Sequence, residues 1–513
     1  MRAAQVPGYQ PANHHHTVNQ RLIGPETVGA RQMEVLLGTL HKGGGALPHA
    51  HPGIEQACYL LEGTARAEVE GEAFDMVPGD MCFFPADRMH VFTVTSDTPV
   101  KLLVIYSPPY GESPDKVIRP AGKRRVMDFA LSPEQEQIRG AIERVCAPFD
   151  ADYWLAKDRE GGFPHDFHQA LADAGWLGIA MPEAYGGAGL GISEAALMMH
   201  AISATGAGLS GASAVHMNIF GLHPVVVFGT EEQKARWLPP LIRGRDKACF
   251  GVTEPNTGLN TLGLKTRAVR EGDHYVVHGQ KVWISTAQVA SKILLLARTT
   301  PLEECRGTEG LSLFYTDLDR STVEVREIEK LGRKCVDSNQ VFIDGLRIPV
   351  EDRVGEEGKG FQYILHGLNP ERILIASEAV GLGRAALARA AGYAQEREVF
   401  GRPIGQNQGI QHPLAQSWME LEAAHLMVQK AAWLYDRHQS CGAEANAAKY
   451  LAAEACYHAC ERAILTHGGM GYAREYHVER YLRESWIPRL APVSPQLILC
   501  FIAEKVLGLP KSY

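Results

Sequence analysis

This sequence has no Cys-x-x-Cys pair, no excess of basic residues and no long apolar run, and each absence removes a class of protein. Its ten cysteines are scattered, the closest two being Cys456 and Cys460. That spacing excludes a zinc ribbon and leads us to expect reduced thiols in a cytoplasmic setting. Acidic residues number 59 against 51 basic ones, a net charge of −8. Such a balance argues against a nucleic-acid or anionic-membrane surface. No apolar stretch reaches the ~18 residues of a membrane-spanning helix. The first twenty residues, MRAAQVPGYQPANHHHTVNQ, lack an apolar core, so no secretion signal is expected. Internal repeats are missing too. What remains is an ordinary globular composition, 45% hydrophobic and 21% charged, over 513 residues. That length suits about three domains.

The pattern along the chain divides it. Residues 1–20 read as a disordered polar tail, with the HHH of 14–16 part of it. Residues 21–107 are short apolar segments broken by Gly and Pro, such as ACYLLEG and MCFFPAD, which predict an all-β unit. Residues 108–126 are Pro-rich and basic, a linker. Ser132 then caps a helix that begins at Pro133, and helical patterning over 127–246 follows. Alternating or continuous apolar runs such as YVVHGQKVWIS and KILLLART predict β structure over 247–354. Residues 355–513 return to helix with Ala-rich interiors. One segment there, GLNPERILIASEAVGLGRAALARA, places Pro370, Glu371 and Arg372 inside an apolar helical stripe. Pro370 either starts that helix or kinks a longer one beginning nearer Gly360.

In the first β unit, Gly43, His49, His51, Gln56 and Gly63 form G-x5-H-x-H-x4-Q-x6-G, followed by Gly79, Pro85 and His90. Two histidines at i and i+2 share one strand face, and a third can close a site from a neighbouring strand. These residues resemble the two cupin motifs over about residues 20–107. The resemblance implies a β-barrel holding a divalent transition metal on His49, His51 and His90, with Gln56 at the usual glutamate position and Glu55 adjacent. Nitrogen ligands with one oxygen suit Fe, Mn, Ni, Cu or Zn. Asp87 and Val94 depart from the second motif, where Gly and Asn are usual.

Three stretches of the larger part carry chemistry in sequence: CFGVTEPNTG (249–258), GQKVWIST (279–286) and EREVFGRPIGQNQGIQH (396–412). With LTHGGMGYAREYHVERYLRES (465–485) they closely resemble the acyl-CoA dehydrogenase family, over about residues 127–513. The implied fold class is a multidomain α+β chain. A cupin barrel is followed by an α-helical domain, a middle β-barrel or sandwich, and a C-terminal domain like a four-helix bundle. The implied cofactor is FAD and the implied assembly a homo-oligomer, dimer or tetramer. By motif position, Thr253 meets the flavin pyrimidine edge, Trp283 flanks the rings and Ser285 serves the N5 side. Arg397, Phe400 and Gln408 contact a neighbouring subunit's cofactor, and Gly468 and Gly469 let backbone approach its adenosine end. Leu259 stands where the family has a substrate-contacting serine, and Leu465 where it has a glutamine.

The family's reaction takes a proton from the α-carbon of an acyl-CoA and a hydride from the β-carbon, and electrons leave through an electron-transferring flavoprotein. Most members keep the base on the C-terminal loop, where this chain has Pro492, and no acid lies between Glu484 and Glu504. A minority keep it on the helix before an arginine, which implies Glu371 as base with Arg372 beside the substrate. Pro492 also lacks the N–H that the loop lends to the thioester carbonyl, so either Val493 or a flavin hydroxyl replaces it. Two alternatives stand: another flavoenzyme activity on this fold, monooxygenase or oxidase, and a cupin that is only a binding or structural module.

Overall fold

The computed structural model describes residues 3–9, 14–46, 49–70, 72–111, 130–216, 222–306 and 308–512. It divides into two compact units, residues 1–128 and 129–513. The proposed linker lies outside the described residues from 112 onward, as does the start of the helical domain through residue 129.

Among its described residues the first unit holds eight strands, β1 (His14–Ile23), β2 (Glu34–Ala46), β3 (Glu55–Glu62), β4 (Ala65–Val69), β5 (Glu72–Met76), β6 (Met81–Phe84), β7 (His90–Val94) and β8 (Val100–Ser107), with a short α-helical turn, α1 (Pro25–Val28). They make a five-stranded sheet, β1-β2-β8-β3-β6, and a three-stranded sheet, β5-β4-β7. Alternate residues of β3 and β8, including Cys58, Leu60, Leu102 and Val104, turn inward to one core. The expected tail is shorter than predicted, because residues 14–20 belong to β1 and pair antiparallel with β2. That ladder gives a polar segment backbone partners which its composition does not advertise. Gln20 Nε2 also donates to the carbonyls of Ala3 (3.1 Å) and Val6 (2.6 Å).

The second unit opens with helices α2 (Pro133–Cys146), α3 (Ala151–Glu160), α4 (His165–Asp173), α5 (Ile192–Ile202), α6 (Gly208–His216), α7 (His223–Phe228) and α8 (Glu231–Ile242). Ser132 caps α2 as predicted, accepting from Gln135 N at 3.2 Å, with Pro133 in the first turn. Strands β9 (Ala248–Gly251), β10 (Arg267–Glu271), β11 (His274–Ser285), β12 (Lys292–Arg298), β13 (Leu311–Asp317), β14 (Val323–Glu327), β15 (Ser338–Pro349) and β16 (Arg353–Val354) form one eight-stranded sheet. Both faces of its centre are covered. Leu294, Leu296, Leu313 and Tyr315 enter one core with α8, while Ile293, Leu295, Ala297 and Phe314 enter another.

Helix α9 (Gly360–Glu396) is continuous with Pro370 inside it, so the longer-helix alternative is the one adopted. The short hairpin β17 (Glu398–Val399) and β18 (Arg402–Pro403) leads to α10 (Gln408–Asp436) and α11 (Gly442–His467). Then follow α12 (Val478–Glu484), α13 (Trp486–Leu490) and α14 (Pro495–Lys505). The alanines of α9, α10 and α11 share one core with Ile142, Phe167 and the apolar face of α5, which joins the first and last helical parts. No single helix among the described residues is long and apolar enough to cross a membrane.

Candidate active site and metal centre

Pro370 cannot donate to the carbonyl of His366, so α9 loses one hydrogen bond just before Glu371. The Glu371 carboxyl is enclosed by protein yet keeps part of its surface accessible. Burial pushes its pKa up to about 7, against the pull of His216, Arg372 and Lys449, while Glu378 reinforces the rise. Arg372 Nη1 donates to Asn369 Oδ1 at 3.2 Å.

The C-terminal loop is held from beneath. Lys449, buried on α11, donates to Val493 O at 2.6 Å, and burial pulls its pKa down to about 8. Ser494 Oγ accepts from Leu497 N at 3.3 Å and starts α14. The Val493 N–H has no hydrogen-bond partner among the described residues.

The TEP and WIS segments meet as neighbours. Val282 N donates to Thr253 O at 2.9 Å. Buried Glu254 accepts from Lys265 N (2.6 Å), Thr266 N (2.8 Å) and Lys281 Nζ (3.0 Å). Burial opposes its ionisation, but Lys281 and those two N–H groups hold the carboxyl below its usual range. The β11–β15 register shifts between Lys281 and Ile284, and at this irregularity Trp283 takes φ +62° with its indole 59% exposed. A left-handed tryptophan is strained, and here the strain turns a flat apolar ring outward.

Four polar side chains that the sequence reading missed lie behind Ser285 and Glu371. Arg333, buried with φ +57°, donates from Nη1 to Ser213 Oγ (2.8 Å) and from Nη2 to Ser285 Oγ (3.2 Å). Glu378 is fully buried and its Oε1 bonds His216 Nδ1. Glu378 carried a usable signal, a carboxylate one heptad after Glu371 inside the run ILIASEAVG. Arg333 and Lys449 had none.

In the first unit, His49 and His51 lie between β2 and β3 rather than on a strand, and His49 pairs with His90 of β7 through an isolated antiparallel bridge, with His49 N to His90 O at 3.0 Å and His90 N to His49 O at 2.8 Å. Their ligand atoms and that of His51 all lie within 4.8 Å of one another. His90 Nδ1 donates to Arg88 O at 3.0 Å, and burial lowers its pKa to about 4, so its Nε2 is an unprotonated lone pair. That lone pair faces Gln56 Oε1 at 3.1 Å, while the Gln56 amide donates to Cys58 Sγ at 3.3 Å. A divalent ion bound by the three imidazoles and the Gln56 oxygen would relieve that facing pair of acceptors, and nitrogen ligands with one oxygen are a donor set that fits such an ion. Glu55 is exposed and takes no part. Asp87 fills the usual glycine position at φ +64°, which aspartate tolerates, and its Oδ1 accepts from Gly53 N at 3.2 Å.

Comparison with known proteins fits this geometry. Residues 132–245, 249–346 and 358–491 match the N-terminal, middle and C-terminal domains of acyl-CoA dehydrogenase. The chain belongs to the acyl-CoA dehydrogenase family. Residues 36–106 of the same dehydrogenase chain match the cupin domain. Acyl-CoA dehydrogenase fadE12 of Mycobacterium bovis is 38% identical over 387 residues, 75% of this chain and 99% of its own. The caffeyl-CoA reductase-Etf complex subunit CarC of Acetobacterium woodii is 34% identical over 331 residues, 64% of this chain and 86% of its own. Butyryl-CoA dehydrogenase of Megasphaera elsdenii superposes with a TM-score of 0.71 at 27% identity, over 74% of this chain and all of its own. FAD is expected for an acyl-CoA dehydrogenase fold.

The remaining motif positions of the dehydrogenase are at its surface. Arg397 follows α9, and Phe400, at φ +56° and 100% exposed, sits at the tip of the β17–β18 hairpin. Gln408 is the exposed first residue of α10, and Gly468 and Gly469 are exposed after α11 with open space where a Cβ would stand. Leu259 is 63% exposed in the turn after Thr253.

Proposed function

We propose that this dehydrogenase oxidises an acyl-CoA thioester between its α- and β-carbons to the trans-2-enoyl-CoA, with Glu371 taking the α-proton. Glu371 itself carries the reading. It is the acid on α9 that replaces the one missing at Pro492, and its pKa near 7 suits a general base at neutral pH. Bound FAD supplies the acceptor for the β-hydride. The exposed indole of Trp283 offers a flat apolar face for its rings, Thr253 its pyrimidine edge and Ser285 its N5 side. Arg372 neighbours the thioester, and the Val493 N–H, positioned by Lys449, polarises the thioester carbonyl in place of the donor lost at Pro492. Such a donor is worth about 2.7–4 kcal/mol in the transition state.

Arg397, Phe400 and Gln408, with Gly468 and Gly469, serve the cofactor of a second subunit in a homo-oligomer. A wholly exposed phenylalanine beside an arginine suits that role. Electrons pass to an electron-transferring flavoprotein, a reading supported by the Etf complex named for CarC. His49, His51, His90 and Gln56 hold one divalent transition metal in a module that binds or regulates rather than joins the redox step. Leu259 in place of a substrate-contacting serine is the feature that favours another flavoenzyme activity, an oxidase or monooxygenase.

The test is anaerobic bleaching of the flavin by a panel of acyl-CoAs, with the product mass determined. Loss of two hydrogens from the acyl group is the expected result. An oxygenated product, or no bleaching by any acyl-CoA, sinks the dehydrogenation.

A further inference from the structure

The buried polar cluster behind Glu371 and Ser285 bears on which acyl group enters. Glu371 and Glu378 are seven residues apart on α9, two turns on the same face and about 10 Å along the axis. On the proposed reading, on which this inference rests, the α-carbon lies at Glu371 and the β-carbon towards the side served by Ser285. Arg333 is hydrogen-bonded to Ser285, and Glu378 and His216 act electrostatically on Glu371. On the same reading the chain beyond the β-carbon would run towards Arg333 and Glu378, where an apolar wall would be the natural lining for a plain alkyl tail.

Instead that side holds a guanidinium and a carboxyl that form no ion pair with each other, although Glu378 acts electrostatically on Arg333. Arg333 uses Nη1 and Nη2 on two serines, and its Nε has no hydrogen-bond partner among the described residues. Glu378 uses Oε1 on His216, and its Oε2 has none. Both side chains are buried, Glu378 completely and Arg333 to 8% exposure. A buried donor and a buried acceptor left unmade are costly, so a ligand that satisfies both is strongly selected.

The chemistry of that ligand follows from the two atoms. A carboxylate tail would suit Arg333 and be repelled by Glu378; an ammonium tail would suffer the reverse. An alkyl tail would satisfy neither. A hydroxyl accepts from the guanidinium N–H and bonds the carboxyl oxygen, and it brings no charge of its own. We propose that the acyl group carries an uncharged hydroxyl a few carbons beyond the β-carbon, received between Arg333 Nε and Glu378 Oε2.

The test separates binding from chemistry. Hexyl-CoA, 6-hydroxyhexyl-CoA and 5-carboxypentyl-CoA thioethers, together with the butyl and 4-hydroxybutyl pair, lack the thioester carbonyl and cannot be dehydrogenated. Their affinities for the FAD-loaded wild-type enzyme are read by calorimetry. At one of the two lengths the hydroxyl compound should bind at least about tenfold more tightly than its alkyl partner. In Glu378→Leu and in Arg333→Gln that advantage should fall below about threefold. Equal or tighter binding of the alkyl compound at both lengths overturns the proposal, and so does tightest binding of the carboxyl compound. The wild-type comparison stands even if a variant does not fold. Flavin bleaching by hexanoyl-CoA and 6-hydroxyhexanoyl-CoA is scored separately. Bleaching without a hydroxyl preference in binding removes the hydroxyl proposal and leaves the dehydrogenase reading. A binding preference without bleaching does the opposite.

Discussion

The three imidazoles of the first unit and the carboxylates of α9 are both ionisable groups set away from water, and the protein treats them in opposite ways. His90 is driven to the neutral state by burial, its pKa near 4, so its lone pair is available at every ordinary pH. Glu371 is also shifted towards neutrality by burial, but His216, Arg372 and Lys449 stop the shift near 7. A metal ligand must not take up a proton; a base must take one up and release it every turnover. On those proposed roles the same desolvation is opposed at His90 only by the hydrogen bond to the Arg88 carbonyl, and at Glu371 it is counterbalanced by cations.

The sharpest way to break that comparison is Glu371→Gln, which keeps the shape and removes the basic lone pair. Flavin reduction by a confirmed substrate should slow by about 10²–10⁴-fold in rapid mixing, with substrate still perturbing the flavin spectrum. Reduction within about threefold of wild type would make Glu371 a structural residue, since that is under ~0.7 kcal/mol of barrier.

Next comes His51→Ala. Elemental analysis should find about one divalent ion per chain in wild type and close to none in the variant, because a three-imidazole site loses a third of its nitrogen ligands. Flavin reduction should be largely unchanged. Equal metal in both proteins would remove the assignment, and loss of flavin reduction would show that the two units are coupled.

The pH dependence gives a moderate effect with a definite sign. Reduction should rise with pH through about 7 as Glu371 ionises, then level off. A carboxyl whose folded pKa is raised favours folding below its unfolded pKa, and that contribution is lost as pH climbs through about 7. Glu371→Gln cannot ionise, so it should melt above wild type at pH 8 and alongside it near pH 4.5. A wild-type rate that is flat from pH 6 to 8 would contradict the burial argument.

Lys449→Met should have the smallest effect of the four. Removing its positive charge takes away one of the groups that ease ionisation of Glu371, so the pH midpoint moves alkaline. It also frees Val493 O, so an additional loss that is independent of pH should accompany the shift, about threefold at high pH for a loosened donor. A midpoint that stays put or moves acid would show that Lys449 only anchors the loop.

The sequence made the element types and the motif clusters legible because they rest on local pattern. The apolar run of β12, the cap at Ser132 and the His-x-His pair can each be read within a dozen residues. The boundary at His14 was not legible, since a polar strand is recruited by the edge of β2 rather than by its own composition. At Pro370 the pattern allowed two helices and packing chose the longer one. At the candidate active site, Glu371 was accessible through the missing acid at Pro492. Arg333, Ser213 and His216 come from a loop and from α6, and only the tertiary fold brings them to Glu378 and Ser285. Periodicity carries no information about such meetings.

Strands β12 and β13 send alternate side chains into two separate cores, so neither strand has a face left over. Truncating a buried leucine on either side costs about 2–5 kcal/mol, which makes almost every position of KILLLAR intolerant of change. Divergence towards a new acyl group is thereby channelled away from the sheet interior. It is left to the strand ends and loops, where Leu259, Ser285 and Arg333 already stand, and to the one face of α9 that carries Glu371 and Glu378. On the proposed substrate site, changes at those positions leave both sheet cores intact, while changes spread over β12 and β13 remove buried side chains from one core or the other.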